Sequence, residues 1–253
     1  MNNVKAIGFD LFNTLITVEP RTLDEAVRRL TKSLGRSGFS VEYESFERSH
    51  REAVMKFLRE AEKDGRESHN RFWISEALEM EGYNVSPHDP RIARSVDAYF
   101  SAFSQYCHII PGTIEMLGAL RGRYRLALLS NLTHAPVARE IINRMGITPF
   151  LDAVLISGEL GYRKPHPLVF NLLIKELGVE KSQVIYVGDD PEADINGALR
   201  AGLLPIWTTY VRDRQIGLPG YLSGDADLPD SEVPRISDWK EFLSLLHISP
   251  SAS

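Results

Sequence analysis

Apolar residues form a short unbroken run near the start of the chain, Val4 to Phe9 (VKAIGF), and comparable runs return only after residue 109. A run without polar alternation suits a strand buried on both faces. From about Leu23 to Tyr106 the rhythm is helical instead. LDEAVRRLTKSLGR, YESFERSHREAVMKFLREAEKDG, RFWISEALEMEG and PRIARSVDAYFSAFSQY repeat their apolar positions every three or four residues, punctuated by Gly35, Gly65, Gly82 and Pro87. Beyond Ile109 helix and strand alternate. PGTIEMLGALRG reads as a helix with Thr113 as N-cap, RLALLS as a strand, AREIINRMG as a helix and AVLIS as a strand. PLVFNLLIKELG reads as a helix with Pro167 near its first position and Gly178 past its end. QVIYVG (strand), PEADINGALRAG (helix) and LLPIW (strand) follow. Arg212–Pro234 reads as loop, DWKEFLSLL as a last helix and SPSAS as a polar tail.

Alternation with short connections predicts an α/β fold, a Rossmann-like doubly wound parallel sheet covered on both faces by helices. The helical stretch predicts an all-helical domain inserted after the first strand. Residues 1–17 and 109–253 make the core and residues 18–108 the insert.

Ligands of an open parallel sheet bind outside the carboxyl ends of its strands. Here the first strand ends at Asp10, with Thr14 four residues on, and RLALLS ends at Ser130 and Asn131. QVIYVG ends at Asp189 and Asp190, with Asp194 on the next helix, and Lys164 lies in the loop after AVLIS. Taken singly, each has a plain role: a turn carboxylate, a turn hydroxyl, a solvated lysine, and for Asp190 before Pro191 an N-cap. Together they put a carboxylate, a hydroxyl, a lysine and an acidic cluster on one rim.

Composition narrows the partners. The 253 residues are 43% hydrophobic and 25% charged, enough for a substantial core in one or two domains. With 29 basic against 34 acidic residues the net charge is -5, which argues against a nucleic-acid coat or an anionic-membrane binder. One cysteine, Cys107, makes neither an internal disulfide nor a cysteine-rich metal cluster. The opening MNNVKAIGFDLFNTLI is interrupted too soon by Asp10 for a signal peptide, and no run approaches a membrane span of ~18 residues. The expectation is a cytoplasmic protein, monomer or homodimer, acting on a small anionic substrate.

Four motifs carry a resemblance: DLFNTL (Asp10–Leu15), Ser130-Asn131 after an apolar strand, GYRKPHP (Gly161–Pro167), and GDDPEAD (Gly188–Asp194) running into INGALRAG. In this order and spacing they resemble the haloacid dehalogenase superfamily of hydrolases, in the branch with a helical cap inserted after the first core strand. The resemblance implies that Asp10 is the nucleophile and that Thr14 helps to place the transferring group. Ser130 and Asn131 would contact substrate, and Lys164 would offset charge where an anionic nucleophile meets an anionic substrate. It also implies Mg²⁺ held by Asp10, Asp189 and the main-chain carbonyl of Phe12, with Asp194 in support.

Phe12 departs from the pattern. Most phosphatases of the family carry a second Asp there as general acid and base, and a phenyl ring moves no proton. An aromatic residue at this position resembles the 2-haloacid dehalogenases, whose halide leaves without a proton. Those enzymes work without metal and replace the last motif's carboxylates, whereas Asp189 and Asp194 are retained here. Three readings therefore stand: a Mg²⁺-dependent phosphatase acting on a small phosphorylated metabolite, a 2-haloacid dehalogenase-like hydrolase, and a catalytically weak ligand-binding protein. Phe12 also reads simply as an apolar plug between core and cap. His50, His69, His88, His108 and His134 lack metal-ligand spacing, and His166 reads as a helix-start residue. Phe72 and Trp73 read as cap core, and Cys107 as a buried small side chain. Arg21, Arg28 and Arg71 are the cap cations that could meet a substrate anion.

Overall fold

The computed structural model describes residues 3–216 and 228–248, so part of the expected 212–234 loop and the SPSAS tail lie outside the described residues. Six strands form one parallel sheet in the order β5-β4-β1-β6-β7-β8. They are β1 (Ala6–Phe9), β4 (Arg125–Ser130), β5 (Ala153–Ile156), β6 (Val184–Gly188), β7 (Leu204–Thr208) and β8 (Arg235–Ile236). Side chains alternate across a strand, so each central strand feeds two cores. Ile7, Phe9, Leu126, Leu128, Ile185 and Val187 enter one apolar cluster. Ala6, Ala127, Leu129, Val184 and Tyr186 enter the other. Burial on both faces removes polar alternation, which is why these strands read as continuous apolar runs.

The first cluster is closed by α5 (Thr113–Leu120), α6 (Ala135–Arg144) and α11 (Trp239–Leu245), through Met116, Leu117, Ile141 and Phe242. The second is closed by α8 (Pro167–Leu177) and α9 (Gly197–Ala201), through Val169, Phe170, Leu173 and Ala198. Short helices α7 (Ser157–Leu160) and α10 (Tyr210–Asp213) follow β5 and β7. The sheet is thus covered on both faces, as its alternation predicts.

Four helices lie between the first strand and α5: α1 (Thr22–Arg36), α2 (Tyr43–Asp64), α3 (Asn70–Met80) and α4 (Pro90–Tyr106). Ala26, Leu30 and Leu34 of α1 and Ile92, Val96 and Phe100 of α4 recur at three- to four-residue spacing and are buried. Chain entry and exit are tied by a two-stranded antiparallel ribbon, β2 (Ile16–Val18) with β3 (Cys107–Ile109). The sequence pattern did not predict this ribbon or β8, since strands of two or three residues leave no periodicity to read.

Two local expectations need correction. Thr113 is not a side-chain N-cap: Gly112 holds the cap position in a left-handed conformation. The Thr113 hydroxyl instead donates to the Leu15 carbonyl (3.1 Å) and accepts from the Trp239 indole (2.9 Å), joining three distant segments. PEADINGALRAG is not one α-helix but a π-helical turn, Pro191–Asn196, running into α9. Asp190 caps it as expected, accepting from the Glu192 and Ala193 amides at 2.9 and 2.8 Å.

Candidate active site

Parallel pairing of β1 with both β4 and β6 places their carboxyl ends side by side. That alignment puts Asp10, Ser130 and Asp189 on one rim. Lys164 reaches them from the loop after α7, and its side chain is buried at the centre. Its ammonium donates to Asp10 Oδ1 at 2.6 Å, Asp194 Oδ1 at 2.7 Å and the Tyr186 hydroxyl at 3.0 Å. Burial alone disfavours that cation, but Asp10 and Asp194 outweigh it and hold the Lys164 pKa well above its ordinary value. Tyr186 was not singled out from the sequence, although a hydroxyl inside an apolar run was a readable signal. Its O–H reaches the Leu129 carbonyl at 3.1 Å, and burial raises its pKa well above normal.

Asp194 lies against the end of β6, where its Oδ2 accepts from the Asp190 amide at 3.1 Å. Only glycine permits this packing at 188, because a Cβ there would meet the Asp194 Cγ at 2.3 Å. Burial first, and then the charge of Asp10, pushes the Asp194 carboxyl up to about 7 despite Lys164. Burial and the charges of Asp10 and Asp194 likewise raise Asp189 well above the usual carboxylate range. One carboxylate oxygen from each of Asp10, Asp189 and Asp194 lies within 4.8 Å of the others. Three carboxylates against a single ammonium leave negative charge in excess, and all donors are hard oxygens. This set fits a hard divalent cation such as Mg²⁺.

Hydroxyls complete the rim. Ser130 Oγ and Thr14 Oγ1 are buried and lack a hydrogen-bond partner, as does Thr133 Oγ1, a residue not anticipated from the sequence. Ser130 and Thr133 line the cavity, whereas Thr14 is not among its lining residues. Buried hydroxyls without partners are costly, and an incoming anionic oxygen would satisfy those of Ser130 and Thr133. Asn131, expected to contact substrate, lines the cavity as well and also bonds the lysine loop. Its amide nitrogen donates to the Lys164 carbonyl (3.0 Å) and its oxygen accepts from the Lys164 amide (2.8 Å), which positions the lysine.

The cavity above the rim measures about 350 Å³ and runs up between the sheet and the inserted helices. Phe12 lines it and packs edge-on against Phe103 of α4, with ring centroids 6.3 Å apart. Next to it Asn13 adopts a left-handed backbone (φ 61°), tolerated by an Asn, and its N–H turns back to the Ile16 carbonyl. Arg21 and Arg28 pair instead with Glu19 and Asp24, and the Arg71 head lies by His88. The guanidinium that lines the cavity is Arg163, which the sequence did not single out. Burial pushes the Cys107 thiol up to about 12, so it is an inert packing group.

The segment after α2 is bonded to the segment after α7 at this cavity. Glu67 N–H donates to the Gly161 carbonyl (3.0 Å) and Arg163 N–H to the Gly65 carbonyl (2.9 Å), across an antiparallel bridge between Arg66 and Tyr162. Gly65 ends α2 at φ 68°, and a Cβ there would meet the His166 side chain at 2.7 Å. His166 caps α8 through Nδ1 and stacks on Tyr162. The fold also unites two histidines that look scattered in sequence, His69 and His134, the residues preceding α3 and α6, whose ring nitrogens lie 3.5 Å apart. Among the described residues no helix is long and apolar enough to cross a membrane.

A family model described as a haloacid dehalogenase-like hydrolase matches residues 4–202. The chain is 32% identical over 200 residues to a ribulose-1,5-bisphosphate 5-phosphatase of Halopiger xanaduensis, covering 78% of this chain and 82% of that one. It is 28% identical over 233 residues to a glyceraldehyde 3-phosphate phosphatase of Methanopyrus kandleri, covering 92% and 94%. In fold it is similar to a 2-haloacid dehalogenase of Pseudomonas syringae pv. Tomato, with a TM-score of 0.71 at 24% identity, covering 96% and 98%.

Proposed function

The chain belongs to the haloacid dehalogenase-like hydrolases, and we propose that it is a Mg²⁺-dependent phosphatase acting on a small phosphorylated metabolite. Within this reading residues 18–108 form a cap over a core made of 1–17 and 109–253. The observation that carries it is the packing of one carboxylate oxygen each from Asp10, Asp189 and Asp194 within 4.8 Å, with the buried Lys164 ammonium bonded to two of the three. Such a cluster would repel an anionic haloacid, but bound to a divalent cation it suits a phosphoryl group. Relatives named for the phosphatase reactions of ribulose bisphosphate and glyceraldehyde 3-phosphate point the same way.

An Asp10 carboxylate oxygen attacks phosphorus, the bond from phosphorus to the leaving oxygen breaks, and that oxygen leaves with the electron pair. Water then attacks the aspartyl phosphate and releases inorganic phosphate, returning Asp10 to its starting form. Mg²⁺, held by Asp10, Asp189 and the Phe12 carbonyl with Asp194 in support, would screen the negative charge between nucleophile and phosphoryl group. Lys164 fixes the Asp10 side chain through the 2.6 Å contact and neutralises part of the incoming charge. The unpartnered Ser130 hydroxyl, which lines the cavity, supplies a donor for a phosphoryl oxygen, and Thr14, four residues after Asp10, helps to place the nucleophile. With Phe12 in the cavity the leaving oxygen finds no proton donor at that position, which favours substrates whose leaving group departs readily.

The same Phe12 ring is the observation that favours the second reading, hydrolysis at carbon of a 2-haloacid. One panel separates the two: phosphate esters, acyl phosphates and 2-haloacids, each with Mg²⁺ and with chelator. Phosphate release that vanishes in chelator and returns with Mg²⁺, and that is abolished by Asp10→Asn, is the expected result. Chelator-resistant release of halide would overturn the proposal.

A further inference from the structure

Away from the acidic rim, the cavity holds polar groups that the hydrolysis itself does not use. The Glu67 side chain is only 2% exposed, yet neither carboxylate oxygen has a hydrogen-bond partner. Asn70, at the start of α3, is also buried, and its Oδ1 is unpartnered as well. Both residues line the cavity that contains Asp10 and Ser130. Glu67 is held by its backbone bond to Gly161, which ends α7 three residues before Lys164, so Glu67 and the lysine are tied to the same segment. Three buried, unpartnered acceptors on residues that line one cavity call for hydrogen-bond donors from outside the protein.

The kind of donor follows from Arg163. Its guanidinium lies 3.6 Å from Glu67 Oε1, close enough to offset the carboxylate's charge but too far to hydrogen-bond it. Glu67 therefore lacks donors, not a counter-charge, and neutral hydroxyls fit better than a second cation. Val54, Trp73, Phe100 and Phe103 give the cavity apolar walls as well. A cavity of about 350 Å³ is near the small end of the ~300–1,000 Å³ range of ligand sites, enough for a phosphate and a short carbon chain.

We infer that Glu67 and Asn70 select the leaving group, and that the substrate is a phosphate ester of a short polyhydroxylated chain whose hydroxyls bond these acceptors. This rests on the phosphatase reading and adds the identity of the alcohol to it. A site built to hydrogen-bond a substrate hydroxyl strongly rejects the analogue that lacks it, because its own groups are then left unpaired.

The test compares glycerol 3-phosphate with propyl phosphate, matched in length but without free hydroxyls, by calorimetric titration in Mg²⁺. The full chain carries Asp10→Asn so that neither ligand is consumed. Glycerol 3-phosphate is expected to bind at least 10-fold more tightly. Adding Glu67→Met, which keeps the length and removes both acceptors, should cut that preference at least fivefold without lowering the melting temperature. Should that variant not melt cooperatively, Glu67→Gln, which removes one acceptor, should cut the preference in the same direction. Equal binding of the two phosphates, no saturable binding of either, or a preference untouched by both variants overturns the inference. So does tighter binding of phosphoethanolamine than of glycerol 3-phosphate, which would assign the acceptors to a cation. A chain that prefers glycerol 3-phosphate but hydrolyses no phosphate ester would instead overturn the phosphatase reading and leave the selectivity standing.

Discussion

Replacing Lys164 by Met removes the one ammonium that Asp10 and Asp194 share while keeping most of the side chain's volume. In the folded protein that ammonium lies 2.6 and 2.7 Å from the two carboxylates, with side-chain exposures of 2%, 9% and 1% for Lys164, Asp10 and Asp194. Solvent can screen little of the repulsion left behind. Removing one partner of a buried ion pair costs about 3–5 kcal/mol, because a charge stays buried without compensation. The loss of the Tyr186 contact adds to this, since its hydroxyl oxygen forfeits a donor at 3.0 Å. For a chain of this size about 2–4 °C of melting temperature accompanies each kcal/mol, so the midpoint should fall by roughly 6–20 °C. The assay is a thermal melt of both proteins in chelator and in Mg²⁺. Mg²⁺ should raise the variant's midpoint by more than the wild type's, because the variant offers the cation a less neutralised cluster. Turnover should fall by roughly 10²–10³, as when an electrostatic stabiliser of the transition state is removed. A variant that melts within 2 °C of wild type in chelator would refute the view that Lys164 offsets this cluster.

Phe12→Asp returns a carboxyl group to the position where most family phosphatases carry one. Hydrolysis of alkyl phosphates, measured as phosphate release, should rise by roughly tenfold or more of the ~10²–10⁴ such an acid supplies, with little change for acyl phosphates. An unchanged or lower alkyl phosphatase rate in a folded variant would count against a missing proton donor. His50, on α2 between Phe46 and Tyr99, is 1% exposed, and burial drives its pKa down to about 4. The unfolded chain binds a proton there below its ordinary value of 6.5 and the folded chain does not, so stability is complete above 6.5 and is lost as pH falls toward 4. At 1.36 kcal/mol per unit this is about 3 kcal/mol over the window. Denaturant melts across that range should show wild type losing that much more than His50→Leu, and parallel curves would refute it.

The sequence by itself determined what depends on local periodicity and on residue type. The central strands were legible because burial on both faces leaves uninterrupted apolar runs, and α1 and α4 because burial on one face leaves a three- to four-residue repeat. Asp10, Ser130, Asp189 and Asp194 were legible because strand ends in a parallel sheet share one edge. Pairing across the fold was not legible. Lys164 and Asp10 are 154 positions apart, and only the order β4-β1-β6 brings the lysine loop over Asp10. The ribbon of β2 and β3 was equally hidden, since Ile16 and Ile109 supply three-residue strands that exist only through each other. Glu67, Asn70 and Arg163 went unremarked because a glutamate, an asparagine and an arginine in polar sequence look like surface residues. Only the bridge between Arg66 and Tyr162 draws them into the cavity. Local sequence sets which face of an element is apolar, whereas burial of a polar group is decided by which distant element closes over it.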